Sequence, residues 1–210
     1  MCLDPIKFDS LSKEQDLVFN LPMVGSYLVV GPPGTGKSVV ALHRAGRFAK
    51  KSDELVFLTK SRLLKEWTKE STKNLNIDPD SVLTYHSWAA KWHLQTFRSR
   101  IPQHKQYVYD WGKVRKNIEN SSFTKSLNIV IDEGQDLPSD FYDVLNLIAK
   151  TVTVFADENQ TLGEENSSLE QIQKGLGVSS SEVLKLTRNY RNCREIAELS
   201  AQFYTGKSTG

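Results

Sequence analysis

Residues 27–38 read YLVVGPPGTGKS. YLVV at 27–30 is a short strand-like run bounded by turn residues, and a helical pattern opens at Ser38. Between them, GPPGTGKS at Gly31–Ser38 matches G-x-x-x-x-G-K-[ST] in full. Strand, loop and helix in that order are the context that makes the pattern a phosphate cradle. Gly31, Gly34 and Gly36 let the backbone curl until successive N–H groups face phosphate oxygens. Pro32, Pro33, Thr35 and Val39 complete the expected nucleotide lining. The helix N-terminus adds partial positive charge. Lys37 is expected to neutralise β- and γ-phosphate charge, and Ser38 to ligate Mg²⁺ through its hydroxyl. A glycine-rich turn ending by chance in Lys-Ser is the plain alternative, and the flanking strand and helix argue against it.

Outward from this loop the chain alternates apolar runs and helical patterns. LVFL (55–58), SVLT (81–84), NIVI (128–131) and VTVF (152–155) read as further strands. Ser38–Phe48, Ser61–Glu70 and Phe141–Ile148 read as helices, the second with Leu63, Leu64 and Trp67 at helical spacing. This predicts an α/β fold, a mostly parallel sheet flanked by helices. The stretch 89–126 breaks the rhythm: it is polar, basic and aromatic, and reads as an inserted helical subdomain between core segments 1–88 and 127–192. Residues 164–181 read as a polar connection around a short helix, and Cys193–Phe203 as a final helix within a terminal segment, 193–210.

Length and composition bound the function. The chain has 210 residues, 39% hydrophobic and 25% charged, which suits a globular domain. No apolar run approaches the roughly 20 residues that span a bilayer, and MCLDPIKFDS lacks the pattern of a secretory signal. Cys2 and Cys193 have no metal-ligand spacing and suggest a reducing compartment, so the expected location is cytoplasmic. A net charge of +2 neither demands nor excludes a nucleic-acid partner.

NIVIDEGQD (128–136) supplies what a nucleoside triphosphate site needs besides a cradle. Asp132 and Glu133 directly follow a buried strand, at the edge where ligands bind in open α/β sheets. Asp132 is expected to hold Mg²⁺ through water, and Glu133 to accept the proton of an attacking water. No hydroxyl-acceptor site for a kinase is identifiable, so the paired acids favour hydrolysis.

DEGQD at 132–136 resembles the second motif of superfamily 1 helicases of the UvrD/Rep type. Other segments fit in the same order: LSKEQ ending in Gln15, FLTKS with Thr59 and Lys60, TYHSW with Thr84, His86 and Ser87, ADENQ with Asp157 and Gln160, and NYR at 189–191. The resemblance spans Gln15 to Arg191. It implies a RecA-like ATP-binding domain at 1–88 and 127–192, with 193–210 leading toward a second RecA-like domain. It further implies that Gln15 reads the adenine edge, Tyr190 stacks on adenine, Gln160 senses the γ-phosphate and Arg191 acts as an arginine finger. Thr59, Lys60, Thr84, His86 and Ser87 would then face single-stranded DNA, with RNA not excluded.

The sequence departs from that family in three places. The chain ends at Gly210, soon after NYR, so Tyr190 and Arg191 are expected near the cleft but loosely held without a second domain. TLGEENSS after Gln160 carries no aromatic, and Leu58 stands where the family has one, so contact with a strand is expected mainly through phosphate and sugar. Val39 stands where an arginine often helps hold the base. Within 89–126, Lys91, Arg98, Arg100, Lys105, Lys113, Arg115 and Lys116 suit phosphates; Trp88 just before it and Trp92, Phe97, Tyr107, Tyr109 and Trp111 within it suit bases. A small hydrophobic core with a solvated face carries more weight for these residues. The leading expectation is the ATP-hydrolysing first motor domain of a superfamily 1 helicase. The alternative is a nucleotide-gated binding or regulatory module, and single-stranded DNA stimulation of ATPase separates the two.

Overall fold

A computed structural model describes residues 11–51, 54–60, 62–72, 75–157 and 166–190. Gln160, Arg191, Cys2, Cys193 and the expected helix over Cys193–Phe203 lie outside the described residues. The elements run α1 (Lys13–Phe19), β1 (Gly25–Val30), α2 (Lys37–Ala49), β2 (Leu55–Thr59), α3 (Arg62–Thr72), β3 (Val82–Thr84), α4 (Tyr85–Phe97), β4 (Gln103–Lys105), β5 (Val108–Tyr109), α5 (Trp111–Glu119), β6 (Leu127–Ile131), α6 (Ser139–Ile148), β7 (Ala149–Ala156), α7 (Leu169–Leu176) and β8 (Leu184–Lys185). Six strands form one parallel sheet in the order β3-β2-β6-β7-β1-β8, and β4 pairs with β5 as a separate hairpin.

The alternation of apolar side chains explains the layers. Leu28, Val30, Val56, Leu58, Ile129, Ile131 and Val154 share one buried cluster with side chains of α4, α5, α6 and α7. Their strand neighbours Val29, Phe57, Val130 and Phe155 join Val18 of α1 and Val40, Ala41, Ala45 and Phe48 of α2 on the opposite face. A sheet covered on both faces needs continuous apolar strands, which is why those runs were readable. Two short elements were not. α1 has seven residues and starts at a reciprocal cap, Ser12 with Gln15. β8 has two residues and is defined by its pairing with Val29 and Val30.

Two arginines fix α1 against α2. Arg44 is fully buried without a carboxylate among its hydrogen-bond partners. Its guanidinium donates to the carbonyls of Leu21 and Pro22 and lies over the rings of Phe48 (5.0 Å) and Tyr27 (5.6 Å). Burial, then the charge of Arg47, lowers its pKa to about 10. Arg47 donates to Phe19 and Leu21 carbonyls, satisfying acceptors where α1 ends.

The segment 89–126 is not helical throughout. α4 starts at Tyr85, capped by the Thr84 side chain, and runs unbroken past Trp88 and Ala89; the β4–β5 hairpin separates it from α5. The segment's two tryptophans, Trp92 and Trp111, and Trp88 just before it are buried in the cluster that also holds strand residues. Phe141 of α6 joins them, with ring centroids 5.7 Å from Trp88, 4.9 Å from Trp111 and 5.0 Å from Tyr85. The indole N–H of Trp111 donates to the Tyr85 hydroxyl at 2.7 Å. The tryptophans therefore serve the core. Among the described residues no helix is long and apolar enough to cross a membrane.

Removing the ring that joins segment 89–126 to the sheet should be costly. Phe141→Ala should destabilise by about 3–5 kcal/mol, read as a shift of a single cooperative urea transition, followed by tryptophan fluorescence, to lower denaturant. Two separated transitions in the wild type would instead mean that 89–126 folds as its own unit.

Candidate active site

Parallel pairing brings the ends of all the central strands to one edge. Gly31 follows β1, Lys60 follows β2, Tyr85 follows β3, Asp132 follows β6 and Asp157 follows β7. Val30 is in register with Ala156, and Thr59 with Thr84.

The phosphate loop has the expected backbone. Gly34 (φ +89°) and Gly36 (φ +83°) are left-handed, which glycine tolerates freely. Gly36 caps α2 with no side-chain hydrogen bond, so the first N–H groups of the helix point to a prospective anion. Lys37 is buried; its ammonium donates to the carbonyls of Gly31 and Pro32 and lies 3.4 Å from Oδ2 of Asp157. Thr35 is buried and its hydroxyl donates to the Pro32 carbonyl at 2.9 Å. Val39 is half-buried in the first turn of α2. Gln15 is buried beneath the loop. Its amide donates to Thr35 O at 3.1 Å and accepts from Ser12 N at 3.0 Å, so in this conformation both ends of the side chain bind backbone. A Cβ on Gly36 would stand 2.7 Å from Gln15 Nε2, so these residues approach closely.

Asp132 is 3% exposed. Burial, then the Glu133 charge, pushes its pKa up to about 7, against the Ser38 hydroxyl hydrogen bond and the Lys37 charge. Its Oδ1 has no hydrogen-bond partner among the described residues. A buried carboxylate oxygen without a hydrogen bond, on a carboxylate beside the hydroxyl of Ser38, fits Mg²⁺. That ion commonly takes one or two protein oxygens and completes its shell with phosphates and water. Among the described residues there is no cluster of three His, Cys, Asp or Glu to form an all-protein cage.

Glu133 is held in the left-handed region (φ +56°), a sparsely populated backbone state that surrounding contacts must enforce. Gln135 supplies one such contact. Its amide donates to Glu133 Oε2 at 2.8 Å, and its Oε1 accepts the Asp157 N–H at 2.9 Å. Gly134 has no room for a side chain: a Cβ would lie 2.3 Å from Val154 Cγ1, and its carbonyl accepts from the Tyr142 hydroxyl. Reading the sequence by motif missed the part played by Gln135, although its letter stands inside DEGQD. The signal was a polar residue two positions after an acid and about to be buried.

The residues expected to face a strand divide. Thr59 is 1% exposed and its hydroxyl has no partner among the described residues, so it does not reach the surface here. Thr84 is half-buried and its hydroxyl caps α4 by accepting from Ser87 N at 3.3 Å. Ser87 is exposed and His86 half-buried. Lys60 is half-buried and donates to Asn166 Oδ1 at 3.3 Å. It also faces Asp136, whose carboxyl is raised by burial and lowered by the Lys60 charge.

The segment before NYR is docked on the loop, contrary to the expected loose hold on Tyr190. Thr187 donates through its N–H (2.8 Å) and hydroxyl (2.7 Å) to the carboxylate of Glu14. Those two bonds lower the pKa of Glu14. Asn189 donates to Pro33 O at 3.2 Å, and the Tyr190 N–H to Gly34 O at 2.8 Å. A Cβ on Gly31 would meet Leu186 O at 2.5 Å. The Tyr190 ring remains 44% exposed, with Arg188 5.4 Å from its centroid. Backbone hydrogen bonding from a parallel strand end explains the order: Leu186 N donates to Val30 O and carries the chain over the loop.

A family model, AAA_19, described as an AAA domain, matches residues 18–164, from α1 to beyond Asp157. Among solved structures the chain is similar to the crystal structure of the Pyrococcus furiosus Hef helicase domain. Identity is 18%, over 85% of this chain and 38% of that chain, with a TM-score of 0.45. This chain thus spans well under half of the Hef chain. No curated protein matches the sequence. The family match covers well over half the chain and encloses the cradle and the acidic pair: the chain belongs to the AAA domain family of P-loop ATPases.

Proposed function

We propose that the chain binds ATP with Mg²⁺ and hydrolyses it as the first motor domain of a superfamily 1 helicase or translocase, coupled to single-stranded DNA. One observation carries the catalytic half of this reading: Ser38 beside a buried Asp132, next to a Glu133 oriented by Gln135, at the mouth of the phosphate loop. Lys37 exchanges its loop carbonyls and Asp157 for β- and γ-phosphate oxygens. The N-terminal amides of α2 bind the same phosphates. Ser38 and Asp132 would hold Mg²⁺, which when bound neutralises phosphate charge. Water oxygen bonds to the γ-phosphorus, the bond to the bridging oxygen breaks, ADP leaves and the water proton passes to Glu133. By resemblance, Gln15 and Tyr190 serve the adenine, Gln160 senses the γ-phosphate and Arg191 stabilises its transition-state charge. The proposed partners are single-stranded DNA and a second RecA-like domain.

A second reading, a nucleotide-gated module, is favoured by the hydrogen bonds from Asn189 and Tyr190 to the loop carbonyls, through which nucleotide binding would move the segment 187–190. Adding single-stranded DNA to an ATPase assay tests the choice. The motor reading expects faster turnover, and unchanged turnover favours the module. Binding to the strand should also weaken steeply between low and moderate salt if contacts run to phosphate.

Lys37→Ala should abolish nucleotide binding, measured with a fluorescent ATP analogue. Glu133→Gln should retain binding and lower turnover by about 10²–10⁴-fold; normal hydrolysis would assign the base elsewhere. Gln135→Ala should retain binding and slow turnover by up to about 10²-fold through a misplaced Glu133. Wild-type turnover in that variant would show that Glu133 is oriented by other contacts.

A further inference from the structure

Between Asp80 and Asp110 the sequence has no Asp or Glu, while it has Lys91, Arg98, Arg100 and Lys105. All four cations are exposed, and among the described residues none has a carboxylate within ion-pair reach. Lys91 lines a pocket with Glu54 and Asp80, so the cations left without carboxylates are Arg98, Arg100 and Lys105, a set that suits a polyanion.

Tyr107 stands within this stretch. Lys105 pairs with Val108, so the β4–β5 loop is Gln106 and Tyr107 alone. Tyr107 takes a left-handed backbone (φ +66°), a place that glycine or asparagine usually fills. Its side chain is 60% exposed, so burial does not explain the tyrosine, and turn chemistry disfavours it. The hairpin nevertheless holds it in place. His86 Nε2 bonds the Tyr107 carbonyl at 3.2 Å, and Tyr109 donates to the His86 carbonyl at 3.2 Å. The His86 ring meets the Tyr107 ring nearly perpendicular (81°, centroids 5.6 Å apart), so it does not stack on it. A groove of about 340 Å³ runs beside the tyrosine, lined also by Leu94, Arg100 and Gln103. Leu94 is 52% exposed. Tyr107 on the rim of this groove is tied through His86 to the first turn of α4, which leaves β3 beside the end of β2, where Thr59 is the register partner of Thr84.

We propose that Tyr107 is a base-stacking platform for single-stranded DNA, with Arg100 and Lys105 on the flanking phosphates. This rests on the reading of the chain as a single-strand-coupled ATPase. It gives that reading a base contact which the segment after Gln160, without aromatics, does not offer. A planar ring fixed by its own backbone and left exposed offers a π-face to any base, which gives grip without sequence preference.

The test is fluorescence anisotropy with the full chain and two labelled probes of equal length, oligo(dT) and the same backbone with abasic sites. Wild type should bind oligo(dT) more tightly than the abasic strand. Tyr107→Ala should lose about 5- to 150-fold on oligo(dT) and little on the abasic strand, and Tyr107→Trp should restore the difference. Wild type binding both probes equally overturns the stacking proposal without recourse to a variant. Tyr107→Ala retaining the wild-type preference overturns it too, and in both cases the nucleic-acid reading stands. No binding of either probe by wild type would remove the nucleic-acid reading, and this inference with it.

Discussion

The ammonium of Lys37 is buried among two loop carbonyls and the carboxylate of Asp157, and the organisation of the edge depends on satisfying it. A buried charge without partners is costly, and a buried pair is retained only where further hydrogen bonds complete it. Here the completion comes from three strands. β1 delivers the carbonyl of Gly31, β7 delivers Asp157, and the segment after β6 delivers Gln135, which binds the Asp157 backbone. Any ligand that draws Lys37 onto phosphate changes what Asp157 faces. Gln135 then lies between that change and Glu133. On the proposed reading, the base and the cradle are thus adjusted by one network of short bonds.

The same loop is held from below and from outside. Gln15 binds its Thr35 carbonyl from α1, and α1 is in turn fixed by Arg44 and Arg47 through backbone carbonyls. Asn189 and Tyr190 take the carbonyls of Pro33 and Gly34 from the other side, and Glu14 on α1 clasps Thr187. A closed circuit results: α1, loop, exit segment and back to α1. Loop carbonyls that would otherwise face water are paired with side chains and backbone from both ends of the domain. The chain therefore leaves the sheet directly over the site where a nucleotide would sit.

How much of this was legible follows from what each feature needs. Strands β1, β2, β3, β6 and β7 could be read because a doubly covered parallel sheet demands unbroken apolar runs. Gly31–Ser38 could be read because backbone curvature restricts residue type. β8 could not, since Leu184 and Lys185 make a strand only by leaning on Val29 and Val30. The Gln15 contact with Thr35 depends on a tertiary approach at Gly36 that no local pattern encodes. Trp88, Trp92 and Trp111 were ambiguous between bases and core for the same reason: composition does not say which side Phe141 occupies. Thr59 matched a motif yet is buried at the strand end.

The domain carries two kinds of polar surface, and they differ in how their charges are satisfied. Around Lys37, Asp132 and Glu133, charges are buried or strained and balanced by neighbours, leaving one carboxylate oxygen of Asp132 without a partner among the described residues. Along Arg98, Arg100 and Lys105 the charges are exposed, and among the described residues no carboxylate lies within ion-pair reach of them, whereas Lys91 lines a separate pocket with Glu54 and Asp80. The first arrangement suits a compact ligand that brings its own phosphates and a cation. The second suits an extended polyanion whose counterions are released on contact. Lys60, at the end of β2, bonds Asn166, and its charge opposes the burial that raises the carboxyl of Asp136 in the acidic motif. A phosphate that attracted Lys60 would weaken its hold on Asp136, three residues from Glu133.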